Sequence, residues 1–217
     1  MTYPFENDNF TCVIITAFVE GSVPELLPPD RSSYFLMCAD GGYKKAFDAG
    51  VEPDLIIGDF DSYKGELPPE IESRRLPVEK DDTDTRMCVR IAAERGHKHI
   101  LIIGGLGGRL DHTFANIQTA AGALNSGVHI TFRDKGNEFT VIRNSSAAVK
   151  KREHCHIGIF SLSEISRGVS YSGLYYDLSD YTMTSSYPIG VSNEFTADEA
   201  VISVKDGTLL IVLAEEH

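Results

Sequence analysis

Asp59 and Asp61 flank Phe60 at the end of an apolar run, Leu55-Ile56-Ile57. In an extended segment, residues two apart point the same way, so the two carboxylates share one face. Like charges that close are costly unless something positive sits between them. Taken alone, the stretch is more simply a polar turn after a strand, since Asp and Ser favour turns. Three further clusters change its weight: Asp40-Gly41-Gly42, Lys80-Asp81-Asp82-Thr83-Asp84, and the run from Gly104 to His112. Each follows a predicted strand. In open α/β sheets the ligand site lies beyond the carboxyl ends of the strands, so four such clusters converge on one crevice.

The glycine-rich run suits phosphate. Gly104, Gly105, Gly107 and Gly108 stand between a strand and a helix, where glycines let the backbone approach a ligand and offer it N–H groups. The helix beginning near Leu110 would aim its positive end there, and Arg109 adds a fork-shaped donor. The same run also reads as a tight turn with Arg109 in solvent. It lacks the GK[ST] of a P-loop, and Leu110 stands where GxGxxG needs its third glycine. Among the acids, Asp82 or Thr83 can cap the following helix and Asp84 suits its first turn. That local reading leaves Asp59 and Asp61 unexplained. With Mg²⁺, which takes one or two carboxylates plus substrate phosphates, the three acids make sense together. Lys80 could neutralise a phosphate oxygen as charge moves. Asp111 and His112 either cap their helix or serve the site, Asp111 by holding Arg109 or touching a ligand.

The elements that must position these residues follow from periodicity. Strands are expected at Cys12–Thr16, Tyr34–Ala39, Leu55–Gly58, near Leu76, at His99–Ile103, Val128–Phe132 and Glu138–Ile142. Helices are expected at Gly42–Ala49, closed by Gly50, and at Thr83–Arg95, closed by Gly96. Another is expected at Leu110–Leu124, with an apolar face of Leu110, Phe114, Ile117, Ala121 and Leu124. A short helix is also expected after Pro68-Pro69. Alternation of this kind implies a mostly parallel sheet covered on both faces. From about Ser145 the pattern changes to short alternating runs without helices, which predicts a small all-β domain, sandwich or barrel. Asp206-Gly207 predicts a hairpin between Val201–Val204 and Leu209–Leu213. The expected division is therefore 1–144, α/β, and 145–217, all-β.

Bulk properties narrow the function. The 217 residues carry 42% hydrophobic and 24% charged side chains, ordinary for a globular protein able to bury a sizeable core. A net charge of −12 argues against nucleic-acid binding and suits a cationic small molecule. Four scattered cysteines, Cys12, Cys38, Cys88 and Cys155, fit reduced thiols and a cytoplasmic location. His154-Cys155-His156 lacks a second ligand pair and reads as an exposed strand, not a zinc site. There is no secretory core and no apolar run long enough for a membrane span.

The ordered series ADGG (39–42), PDLIIGDFDS (53–62), KDDTDT (80–85) and GGLGGRLDHTFAN (104–116) resembles thiamine pyrophosphokinase. SGLYYDL (172–178) and VSNEF (191–195) resemble that family's C-terminal motifs. The resemblance spans roughly residue 38 to the C-terminus and implies an α/β catalytic, nucleotide- and metal-binding domain joined to a β-sandwich that binds thiamine. It further implies a homodimer with active sites at the subunit interface, and transfer of the pyrophosphoryl group of ATP to thiamine with release of AMP. Asp59, Asp61 and Asp84 match the family's metal-binding aspartates, and Asp40, with Gly41 and Gly42, the ADGG motif near the active site. Lys80, Asp81 and Thr83 fall in the motif bordering the triphosphate. Arg109 and Asp111 match the functional pair of the glycine-rich motif, which also contains Gly105, Gly107, Gly108 and His112. Ser192 and Asn193 match residues that, in the family, help hold the thiamine ring from the partner subunit. Tyr176 stands where many relatives carry Trp, which implies weaker stacking on a cationic ring. Ordinary strand packing is expected for at least one of Tyr175 and Tyr176, because neighbours in a strand point to opposite faces.

Two rivals share some of these features. A metal-dependent phosphohydrolase also uses DxD, but the haloacid-dehalogenase type places it after the first strand and follows it with Thr or Val. A non-catalytic nucleotide or thiamine sensor need not keep three metal ligands.

Overall fold

A computed structural model describes residues 10–58, 69–75 and 82–216. Asp59, Asp61, Lys80 and Asp81 lie outside the described residues, as does Leu76 itself, but the strand expected near it is present and ends at Arg75. The described residues divide into two compact units, one within residues 10–135 and one of residues 136–216.

The first unit is an α/β layer structure. Its strands are β1 (Cys12–Ile15), β2 (Phe35–Ala39), β3 (Leu55–Gly58), β4 (Glu72–Arg75), β5 (His99–Ile103) and β6 (His129–Asp134). They lie in the order β4-β3-β2-β1-β5-β6, and every described pairing among them is parallel. β1, β3 and β5 are continuous apolar runs because both faces of the sheet are covered, so alternation has no solvent side to mark. Helices α1 (Val23–Leu26), α2 (Gly42–Asp48), α3 (Asp84–Glu94) and α4 (Leu110–Ala123) connect the strands. α2 and α3 each end on the expected glycine. Gly50 N–H donates to Phe47 O and Val51 N–H to Ala46 O, and Gly96 and His97 repeat that pattern on Ala93 and Ala92. The chain after Pro69 passes through a turn directly into β4, so no helix forms between Pro69 and Glu72.

The second unit is an antiparallel sandwich. One sheet runs β7 (Asn137–Arg143), β14 (Thr208–Glu215), β9 (Cys155–Ser161), β12 (Gly190–Asn193). The other runs β11 (Leu178–Thr184), β10 (Ile165–Ser172), β13 (Glu199–Ser203), β8 (Ser146–Lys150). Both contribute to one core, including Ile157, Ile159, Leu209 and Ile211 from the first sheet and Val169, Tyr171 and Ile202 from the second. The strand expected at Glu138–Ile142, assigned by sequence to the first domain, belongs to this unit because it pairs along its length with β14.

Two expectations are corrected. Asp206-Gly207 makes a turn but not a hairpin: β13 pairs with β8 and β10, whereas β14 pairs with β7 and β9. The chain changes sheets there. Asp206 pairs with Arg167, and Gly207 N–H donates to Asn144 Oδ1 at 2.8 Å, so the turn is held by its neighbours in the fold. The second correction concerns α4. Its apolar stripe is not the buried face: Leu110 is 79% and Phe114 62% exposed, and Ile117, Ala121 and Leu124 are only partly buried. The buried positions are Asn116, Thr119 and Ala120. Small and internally satisfied side chains fit there. Thr119 Oγ1 donates to Ala115 O at 2.9 Å, and Asn116 bonds the glycine loop.

Cys12, Cys38 and Cys88 are buried free thiols, as their apolar settings imply. Among the described residues no group of three or more His, Cys, Asp and Glu side chains is placed to hold a metal. No described helix is long and apolar enough to cross a membrane.

Candidate functional site

Strand order reverses at β1. The connection leaving β1 runs to β2 on one side, and the one leaving β5 runs to β6 on the other. Divergence of neighbouring connections opens a crevice at their carboxyl ends. A cavity of about 370 Å³ occupies this place. Thr16, Ala17 and Phe18 line it just after β1, Ala39 and Asp40 at the exit of β2, and Thr83, Asp84 and Thr85 at the start of α3. Gly105, Gly107, Arg109, His112 and Asn116 complete it from the loop after β5 and the first turns of α4. Three of the four clusters picked out in the sequence thus meet in one cavity. The fourth begins at Asp59, outside the described residues. Its strand ends at Gly58, where an added Cβ would lie 3.0 Å from Asp40 Cα.

Local forces set each piece. Asp40 sits at φ 46°, a left-handed conformation uncommon for a residue with a side chain, and its N–H donates to Ile57 O at 2.7 Å. Thr83 is the N-cap of α3: its hydroxyl accepts Arg86 N–H at 3.2 Å. The local and functional readings of this residue therefore coexist, since it caps a helix whose first turn carries Asp84 to the cavity wall. Gly42 has a packing role. A Cβ there would stand 2.2 Å from Ile15 O, so glycine lets α2 pack on β1. Gly41, Gly42, Gly108 and Asp111 are not among the residues lining the cavity.

The glycine loop is rigidly tied. Gly104, Gly105, Gly107 and Gly108 all have φ between 60° and 82°. Gly104 N–H donates to Arg133 O and Gly105 N–H to Phe18 O, each at 2.8 Å. Those two amides are consumed by protein carbonyls and are not available to a phosphate. No described backbone carbonyl takes the amides of Gly107 and Gly108. Arg109 and Asp111 form a two-contact ion pair, Nε to Oδ1 at 3.1 Å and Nη2 to Oδ2 at 2.5 Å. Asp111 therefore holds Arg109. The hydrogen bond from Arg109 keeps the Asp111 carboxyl below the ordinary range; desolvation opposes it, and the Arg109 charge and the His112 N–H add to the lowering.

Phe18 and Thr16 carried no sequence signal, because CVIITAF reads only as a strand and its exit. Phe18 supports the loop: a Cβ on Gly108 would lie 3.1 Å from its ring. Behind the loop, Asp134 is buried and its Oδ1 accepts Glu20 N–H at 2.7 Å and Lys135 N–H at 3.0 Å.

In the sandwich unit the family-matched residues form a second cluster. Tyr175 and Tyr176 lie outside the strands, and both are 67% exposed, so neither is packed as a strand residue. Ser192 is exposed at φ 52°. Asn193 is buried, with its amide on the Tyr176 main chain.

The donor set at the cavity is oxygen-based. Asp40 and Asp84 supply carboxylates, and no described cysteine or pair of histidines lines it. That chemistry fits a hard divalent cation such as Mg²⁺ and does not suit a thiophilic metal.

A crevice lined by acids and glycines at the carboxyl edge of a parallel sheet suits a phosphate-bearing ligand with a hard cation, in a two-unit chain of an α/β layer structure and an antiparallel sandwich. Comparison with known proteins narrows this. The family model "Thiamin pyrophosphokinase, catalytic domain" matches residues 30–132, and "Thiamin pyrophosphokinase, vitamin B1 binding domain" matches residues 145–209. A thiamine pyrophosphokinase of Bacillus subtilis (strain 168) is 28% identical over 200 residues, covering 87% of this chain and 94% of the relative. The crystal structure of thiamine pyrophosphokinase from Bacillus subtilis superposes with a TM-score of 0.83 at 24% identity, over 95% of this chain and 100% of that one. That of thiamin pyrophosphokinase from Geobacillus thermodenitrificans gives 0.77 at 25% identity, over 94% and 98%. The chain belongs to the thiamin pyrophosphokinase family. It is accordingly an enzyme of the family reaction, transfer of pyrophosphate from ATP to thiamine.

Proposed function

We propose that the cavity at the β1–β5 crevice holds the triphosphate of ATP and that the exposed tyrosines of the sandwich receive thiamine. One observation carries this reading. Asp40, Thr83-Asp84 and Gly105, Gly107, Arg109 and His112 are far apart in sequence yet line one cavity.

Arg109, aligned by Asp111, offers its planar fork to phosphate oxygens, and the amides of Gly107 and Gly108 add donors near the start of α4. Thr83 and His112 complete the polar wall. Asp84, with Asp59 and Asp61, would hold Mg²⁺, and Lys80 and Asp81 from the same motif as Asp84 would border the phosphates. When bound, Mg²⁺ supplies neutralisation of phosphate charge. The hydroxyl oxygen of thiamine attacks the β-phosphorus, the bond from that phosphorus to the α-bridging oxygen breaks, and AMP leaves. The hydroxyl proton passes to a carboxylate at the cavity. Positioning and charge complementarity supply most of the rate, as in phosphoryl transfer generally. Tyr176 offers an aromatic face to the cationic thiazolium, with Ser192 and Asn193 beside it.

A homodimer is part of this proposal. The apolar stripe of Leu110 and Phe114 on α4 supports it, because a surface of that kind usually marks an interface. The location proposed is the cytoplasm, which suits the buried free thiols.

The test is chromatography of protein incubated with ATP and Mg²⁺, with and without thiamine. Thiamine-dependent AMP in step with thiamine pyrophosphate is expected, and Asp84→Ala should lower kcat at least about a hundred-fold with the fold intact. Phosphate release without thiamine would overturn the reading in favour of a hydrolase. Saturable binding without turnover would overturn it in favour of a sensor.

A further inference from the structure

Asn193 is an unusual strand residue. β12 has consecutive exposed residues, Val191 and Ser192, between buried Gly190 and Asn193, because its pairing with β9 is irregular between Gly190 and Asn193. Ser192 takes up the irregularity at φ 52°. The result turns Asn193 inward, where it is only 3% exposed.

There the amide is occupied. Oδ1 accepts Tyr176 N–H and Glu194 N–H, both at 3.0 Å, and Nδ2 donates to Tyr176 O at 2.8 Å. Both lone pairs of the oxygen and one of two N–H groups are spent on main chain. A buried amide so committed has one hydrogen left for anything else. Its partner is the backbone of a residue that lacks a ladder of its own. The Tyr175-Tyr176 loop is otherwise pinned by Tyr175 N–H to Glu194 O at 2.9 Å and by Leu174 N–H to Asp177 Oδ1 at 3.2 Å. Leu174 anchors it in the sandwich core. On this frame the two rings stand perpendicular, 86° apart with centroids 4.9 Å apart, and both remain exposed. Two exposed aromatic rings on a pinned backbone form a preorganised corner for a flat ligand.

We infer that Asn193 is a positioning residue that acts on substrate only through Tyr176: it fixes the perpendicular tyrosine corner that takes the aromatic rings of the substrate, and it does not itself contact them. The inference rests on the proposed placing of thiamine at these tyrosines.

A double-mutant cycle tests it. Asn193→Ala and Tyr176→Ala should each raise KM for thiamine about ten-fold, with kcat within about two-fold and KM for ATP unmoved. The double variant should be no worse than the worse single one, because nothing remains for Asn193 to position. Multiplying penalties would overturn the inference, since they would mean direct contact. Because Asn193 is buried, Asp177→Ala provides a surface variant of the same loop. It should raise KM for thiamine about three-fold in the wild-type background and not at all with Tyr176→Ala. An equal effect in both backgrounds also overturns the inference. If the unmodified protein makes no thiamine-dependent AMP, the functional reading fails separately. Near-UV circular dichroism then decides. Loss of the coupled tyrosine signal in Asn193→Ala, with far-UV signal intact, supports the positioning role, and its retention overturns it.

Discussion

Asn116 Nδ2 donates to Gly105 O at 2.8 Å, and the same nitrogen lies 2.6 Å from where a Gly105 side chain would begin. The residue that supports the loop thus also occupies the space beneath it. Gly105 adds a φ of 77°, which glycine adopts without strain. Gly105→Ala should cost roughly 1–3 kcal/mol and raise KM for ATP. In an Asn116→Ala background only the backbone strain persists, so the added cost should shrink. Denaturant titration of the four variants checks this, and equal costs would show that the contact is unimportant.

Arg109 should not tolerate lysine. Its guanidinium binds Asp111 through two nitrogens, and an ammonium cannot both hold that carboxylate and present a fork to phosphate. Arg109→Lys is expected to lower kcat/KM for ATP about ten- to a hundred-fold while leaving stability nearly unchanged, since the pair is exposed. Steady-state kinetics beside thermal melting separates the two effects.

Asp134 gives stability a pH dependence opposite to the usual carboxylate. Burial raises its pKa from 3.8 to about 6, outweighing the N–H donors from Lys135, Glu20 and Leu106, and Glu20 adds to the rise. A group with a raised folded-state pKa stabilises fully below its unfolded value, and that contribution is lost as pH rises through about 6. The loss is roughly 2–3 kcal/mol. Asp134→Asn keeps an oxygen for Glu20 and Lys135 and removes the charge. Its stability relative to the parent should therefore improve between pH 4 and pH 7, measured by urea denaturation at each pH. A constant difference would refute the shift.

The exposed stripe of α4 predicts self-association. Phe114→Lys should shift the protein toward monomer in sedimentation velocity with unchanged far-UV signal, and with loss of activity if sites are shared between copies. A dimer that persists with full activity would place the interface elsewhere.

Sequence by itself determined the parallel sheet, because short apolar runs such as ILII and LIIG alternate with helical patterns, as strands covered on both faces do. It also determined the helix ends at Gly50 and Gly96, the change to an all-β unit, and the clustering of Asp40, Thr83, Asp84 and Arg109 at one sheet edge, since a parallel topology sends every strand's exit to the same side. β8, β11 and β12 were not legible. β11 is mostly exposed, so its residues follow no burial pattern. Tertiary structure alone decided which face of α4 is buried. Asn116 and Thr119 look polar in sequence, and only the neighbouring Gly105 and Ala115 carbonyls make their burial cheap. It alone sent β13 and β14 to different sheets, because a turn fixes a reversal but not the partner. It alone placed Phe18 against the glycine loop and Asn193 beneath Tyr176. Hydrophobic period and turn chemistry are local and can be read along the chain. The partner of a side-chain amide is set by segments far away in sequence, and no local pattern records it.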